Sequence, residues 1–165
     1  MAKRESEGVV TLSVLDRLID QDPKTSSEAP PTRSQAMREL KSSLKRDIEW
    51  LLNTRQYAEP LAEGAQELLQ SLVSYGLPDI CSMHLHSSGD HRRLLRMMET
   101  ALATYEPRLE NIKVTLEPVA QNSRMLKFVI DAFLKVDPAP EHVSFDTILE
   151  LTSGEYQVKG DSRAG

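Results

Sequence analysis

The hydrophobic period of this chain changes at residues 106–108, and that change constrains the fold more than any other feature. Before it, apolar residues recur at helical spacing: Met37, Leu40, Leu44, Ile48, Leu51 and Leu52 in one run, Leu94, Leu95, Met98, Ala101, Leu102 and Tyr105 in another. After it they alternate. Ile112, Val114 and Leu116 interleave with Lys113, Thr115 and Glu117; Leu126, Phe128, Ile130, Ala132 and Leu134 interleave with Lys127, Val129, Asp131 and Lys135. Val143, Phe145, Thr147 and Leu149 supply a third strand, and Ser153-Gly154 turns into a short fourth one around Tyr156 and Val158. Helices first and strands last predict an α+β domain, with N-terminal helices packed on one face of a small C-terminal antiparallel sheet of three to four strands.

A chain of 165 residues can bury one core, which predicts a single domain over 34–160 with extensions at 1–33 and 161–165, the latter a disordered tail. In the first extension, Ser13 and Asp16 have capping-box spacing, and Leu12, Leu15, Leu18 and Ile19 form an apolar stripe. Residues 21–33, rich in proline, serine and charge, read as a flexible tether. A short helix on a tether either docks on a partner or folds back on its own domain. Trp50 projects away from the apolar stripe of its helix, so a loop of the same domain, rather than a partner, is expected over it. A further helix is expected over 63–74, with Ala65, Leu68, Leu69 and Leu72 inward and a stop at Tyr75-Gly76-Leu77-Pro78. Asp90 is expected to cap the helix after it, whose first turn carries His91, Arg92 and Arg93 as a solvated basic face or one that meets acidic groups.

Several function classes drop out. A net charge of −5 argues against general nucleic-acid binding, and a lone cysteine, Cys81, precludes an internal disulfide. No apolar stretch is long enough for a signal peptide or a membrane span, which points to a cytoplasmic protein. Cys81, His84, His86 and His91 are zinc-ligand types, but their spacing matches no closed motif, so neither a metal nor a cofactor is expected. The remaining candidates are the triplet Glu106-Pro107-Arg108 and the end of the sheet. Pro107 disfavours helical geometry at Glu106 and stops the helix there. The carboxylate and guanidinium beside it can pair as an internal clamp or reach partner groups. At the sheet's end, Tyr156 and Gln157 lie on a short last strand whose outer edge a second chain could extend.

SVLDRL, LKRDIEWLLNTR, YGLPD, YEPRLENIKVTLEP, LKFVIDAFLKV and VSFDTIL occur in this order over residues 11 to 158. In these segments the chain resembles the baseplate wedge subunits of contractile injection machines, the phage tail lysozyme-like wedge family, and most of all its type VI secretion branch. The resemblance implies structural work: docking beside larger wedge subunits, and a sheet that serves as the platform for the first ring of contractile sheath proteins. It also implies that Glu106, Pro107 and Arg108 matter for docking, which puts an intermolecular role ahead of the clamp that the residues alone would favour. The family label raises an alternative, peptidoglycan hydrolysis by Glu106 with Asp131 or Asp146, although nothing in the spacing selects these carboxylates. A cytoplasmic adaptor of the same fold is a third reading.

Overall fold

The computed structural model describes residues 10, 12–19, 31–57, 67–68, 71–80, 83, 87–118 and 123–160. Three α-helices, α1 (Val14–Leu18), α2 (Arg33–Asn53) and α3 (Ser88–Tyr105), precede four strands, β1 (Leu109–Leu116), β2 (Met125–Leu134), β3 (Glu141–Glu150) and β4 (Tyr156–Val158). The strands pair antiparallel in the order β1-β2-β3-β4. This is the expected α+β layout, with helices in the N-terminal half and a four-stranded antiparallel sheet after them.

α2 begins at a capping box: the Thr32 hydroxyl accepts from the Gln35 N–H while the Gln35 side chain accepts from the Thr32 N–H. Its buried positions Leu40, Leu44, Ile48, Leu51 and Leu52 form the inward stripe. α3 begins earlier than expected. Ser87, not Asp90, is the N-cap, its hydroxyl accepting from the Gly89 N–H, and Asp90 sits in the first turn, where its charge favours the helix dipole. Leu94, Met98, Ala101 and Leu102 of α3 face inward.

α3 packs along β1 and α2 along β4. The alternation of the strands decides what they meet: Leu126, Phe128, Ile130, Ala132 and Leu134 of β2 and Val143, Phe145 and Leu149 of β3 are buried in one core with both helices. Asp131 and Asp146 therefore fall on the opposite face. A bulge between Glu110 and Lys113, with Asn111 at φ 53°, bends the start of β1.

Two expectations change. Among the described residues no loop covers Trp50, which is 55% exposed and has the Arg46 guanidinium over its ring at 5.1 Å. A partly exposed ring with a cation on its face leaves the aromatic surface solvated on one side, and the stacking holds Arg46 in place. Within 63–74, residues 63–66 and 69–70 lie outside the described residues. Leu72–Ser74 is a 3-10 turn that leaves Leu72 85% exposed, so Leu72 is not part of the core. Leu68 is also exposed. Cys81, His84 and His86 lie outside the described residues too. No helix among them is long and apolar enough to cross a membrane.

The stop at Gly76 takes the form the sequence demands. Gly76 has φ 105°, and its neighbour Leu77 donates to the Thr54 carbonyl at 2.9 Å while accepting from the Gln56 N–H, which ties the segment to the end of α2. A Cβ at Gly76 would stand 2.4 Å from the Thr54 carbonyl oxygen. Gly76→Ala is expected to destabilise the domain by about 2–4 kcal/mol, from left-handed strain plus that collision, read by urea denaturation. Gly89→Ala, whose nearest neighbour is a serine hydroxyl at 3.5 Å, is the control and is expected to change little.

Candidate functional site

Pro107 ends α3 and the chain turns directly into β1, so Glu106 and Arg108 flank the helix–strand junction. Both are turned toward the helices. Glu106 is buried, and its carboxylate takes two hydrogen bonds from the Arg108 guanidinium, Nε to Oε1 at 2.8 Å and Nη2 to Oε2 at 2.6 Å. The same Nη2 reaches Asp47 Oδ2 on α2 at 2.7 Å. The other oxygen of Asp47 accepts from Arg46 Nε and Nη2 at 3.0 and 2.8 Å, and Arg46 Nη2 continues to Asp16 Oδ1 on α1 at 3.0 Å. Asp16 closes the chain by accepting from the Ser13 hydroxyl. Five alternating charges thus connect the N-terminal segment, α2 and the junction.

The electrostatics follow the geometry. Burial acts to lower the Arg108 pKa, but the bonds and fields of Glu106 and Asp47 outweigh it, so the guanidinium is held charged more firmly than usual. For Asp16 burial works against ionisation, and hydrogen bonds from Ser13, Arg46 and Ser43 overcome it and lower the pKa. At Tyr75, burial and then the charges of Glu106 and Asp47 push the phenol up. Arg108 Nη1 is buried without a hydrogen-bond partner among the described residues. Pro107 is exposed, and its carbonyl accepts from Lys135 Nζ at 3.0 Å. The triplet is therefore brought together and internally paired, with Asp47 as the member that sequence reading missed: it lies 61 residues from Arg108, and no local pattern links them.

The sheet's end is organised differently. Tyr156 and Val158 are buried and Gln157 is exposed. Gln157 sits opposite Ile148 between two ladder bonds, Glu150 N–H to the Glu155 carbonyl and Lys159 N–H to the Asp146 carbonyl, so its own N–H points inward to β3. The outward groups belong to Tyr156 and Val158, and α2 has taken three of them. Asn53 accepts from the Tyr156 N–H and donates to the Tyr156 carbonyl, both at 2.8 Å, and Glu49 Oε2 accepts from the Val158 N–H at 2.9 Å. The edge at which the sequence places strand addition is thus bonded to a helix.

Among the described residues no His, Cys, Asp and Glu group could hold a metal ion. The carboxylates considered for glycan hydrolysis do not share a cleft either, because Glu106 faces α2 through Arg108 whereas Asp131 and Asp146 lie on the far face of the sheet. Asp131 pairs with His142 there, at 3.6 Å.

In this helix-on-sheet module the charged turn and the last strand are both paired with α2. The model of the family "Baseplate wedge protein gp25" matches residues 38–139, more than half of the chain, and the chain belongs to that family. A chain in a solved structure entitled "The baseplate complex from the type VI secretion system" is similar at 20% identity and a TM-score of 0.47, covering 67% of this chain and 94% of that one. No curated protein matches.

Arg108→Ala is expected to leave a buried carboxylate unpaired and to cost about 3–5 kcal/mol in chemical denaturation. Adding Glu106→Gln to that variant is expected to recover a substantial part, since the stranded charge is then gone. Tyr156 gives a pH signature. Burial pushes its phenol up to about 12, with Arg55 opposing, and its hydroxyl is buried with no partner among the described residues. The raised value means that the folded state favours the neutral form. The contribution is complete below the unfolded pKa of about 10 and is lost as pH rises toward 12, about 2–3 kcal/mol in all. Tyr156→Phe is expected to match or exceed the parent at neutral pH and to flatten this alkaline limb in a melting series.

Proposed function

We propose that the chain is a TssE-type structural subunit of a bacterial type VI secretion baseplate. It works in the cytoplasm at the inner face of the cell envelope, docks on other wedge subunits and serves as the platform from which contractile sheath proteins assemble. It is not an enzyme in this reading. The observation that carries it is the family match over 38–139, which takes in most of α2, all of α3, the Glu106-Pro107-Arg108 turn and strands β1 and β2.

The N-terminal segment supports a docking role. Val10 and Leu12 pack against the core, and Asp16 is held by Arg46, yet Val14, Leu15 and Leu18 of α1 and Ile19 just after it are exposed, Leu18 at 77%. A helix that turns Asp16 onto its own domain and leaves its apolar residues exposed is set up to bury them elsewhere. The triplet contributes to docking by fixing the junction against α2, with Pro107 and Lys135 at its accessible side. At the sheet, a sheath segment laid along Tyr156 and Gln157 adds by exchange at the outward groups of Tyr156 and Val158, its backbone replacing the Asn53 and Glu49 side chains, while the Gln157 backbone stays bonded to β3.

Removal of residues 1–20 is expected to weaken co-purification with wedge subunits while the melting transition stays cooperative; unchanged affinity would remove the docking role of α1. For the sheet, the informative position is Val158, because its N–H faces outward. Val158→Pro deletes that donor and keeps the β3 ladder, loses the Glu49 bond and part of a buried side chain, and is expected to give a less stable but folded chain whose baseplates carry no sheaths by fluorescence microscopy. Gln157→Pro breaks a bond to β3 and is expected to lower stability as well. Normal sheaths from a folded Val158→Pro variant would place sheath growth on another surface.

A further inference from the structure

An open groove of about 650 Å³ runs along α3. One side is α3, from Arg93 through Met97 and Ala101 to Tyr105; the other is Ser74, Gly76 and Pro78, with Gln56 at the end of α2. Its walls are held firmly. The Tyr105 hydroxyl donates to the Ser71 carbonyl at 3.2 Å, the Tyr75 and Tyr105 rings meet edge to face at 5.2 Å, and Leu77 is bonded to Thr54 and Gln56. The lining spans twelve residue steps of α3, about 18 Å or three helical turns.

We propose that this groove receives an acidic amphipathic helix from another protein chain. The charge selects the occupant. Arg93 and Arg96 line the groove, both are exposed, and among the described residues neither has an ion-pair partner and no carboxylate lines it, although the chain carries a net charge of −5. The backbone selects the form. Leu77 has its N–H and carbonyl bonded to Thr54 and Gln56, and Pro78, which lines the wall, has no N–H, so this wall offers an incoming strand few donors, whereas a helix brings its own hydrogen bonds and needs only side-chain anchors. Small residues allow close approach: Ser74 and Gly76 on one wall face Ala101 on the other. Leu72 and Val73, exposed immediately before Ser74, extend the apolar surface at its rim. The expected helix carries apolar residues at three- and four-residue spacing and Asp or Glu where it passes Arg93 and Arg96. That this helix belongs to another wedge subunit rests on the baseplate reading; its chemistry does not.

The test places p-benzoylphenylalanine at Thr104, an exposed position lining the groove, in the full chain expressed in its own cells. After irradiation the crosslinked peptide is sequenced by mass spectrometry. The expected product is an acidic amphipathic segment of a different protein. Its yield is expected to fall by about tenfold in the Arg93→Glu, Arg96→Glu double variant and by less than about twofold in Arg92→Glu, a neighbour that does not line the groove. Crosslinks to the chain itself or to a second copy, a segment without acidic residues, absence of any crosslink, or a yield indifferent to the double charge reversal would each overturn the proposal. Co-purification of the parent chain with wedge subunits is read separately. If it fails while an acidic helix from some other protein is captured, the groove inference stands and the baseplate reading falls.

Discussion

The fold turns on one guanidinium. Arg108 is the first charged residue after the helix stop, and it holds Glu106 of its own turn and Asp47 of α2 together. Without it two carboxylates would face each other in a partly dry site, and repulsion would separate α2 from the junction at which α3 becomes β1. With it, the angle between the helical layer and the sheet is set by three short hydrogen bonds of fixed, planar geometry. Lysine would supply the charge but not the fork that engages both oxygens of Glu106 while still reaching Asp47. A buried network of this kind adds little net stability compared with apolar packing, but breaking it strands a charge, so its effect is to make one arrangement of the layers far better than its neighbours.

The two helices also protect the sheet they cover. Each sends a glutamate to the strand edge beneath it: Glu99 of α3 accepts from the Val114 N–H on β1, and Glu49 of α2 accepts from the Val158 N–H on β4, both at 2.9 Å. A four-stranded meander has two open edges, and an open edge invites uncontrolled pairing. Closing edges with side chains rather than with another strand is reversible, since a carboxylate that lets go is solvated by water at little cost. Strand addition at β4 is then a competition between an incoming backbone and the Asn53 and Glu49 side chains. Such a contest favours a long, well-registered partner over a chance encounter.

How much of this was legible depended on the range of the interaction. Strand faces were readable because alternation is local: the five β2 residues assigned inward are all buried, and the left-handed Gly76 follows from the residues around it. The start of α3 was misjudged because Asp90 and Ser87 are both good caps and only the path of the preceding chain chooses between them. Trp50 was expected under a loop because burial is the usual fate of an indole; Arg46, one turn earlier, offered an i, i+4 cation that could have been noticed. The site divides in the same way. Glu106 and Arg108, two residues apart, could be seen to pair, but Asp47, Asn53 and Glu49 meet their partners across 61, 103 and 109 residues, and a single sequence carries no signal for that.

These distances in sequence have a mechanical meaning. The charge chain from Ser13 to Glu106 runs through Arg46, which is shared by Asp16, Asp47 and the ring of Trp50. Arg46 has one guanidinium for three attractions, so a partner that pulls on α1 or covers Trp50 changes how strongly Arg46 holds Asp47. Asp47 in turn divides its two oxygens between Arg46 and Arg108. Drawing Asp16 away from Arg46 would leave that guanidinium freer to hold Asp47, and Asp47 would then have less of its charge for Arg108. Asp16 of α1 and the α3–β1 turn are thus joined by one chain of ion pairs that passes through two adjacent residues, Arg46 and Asp47.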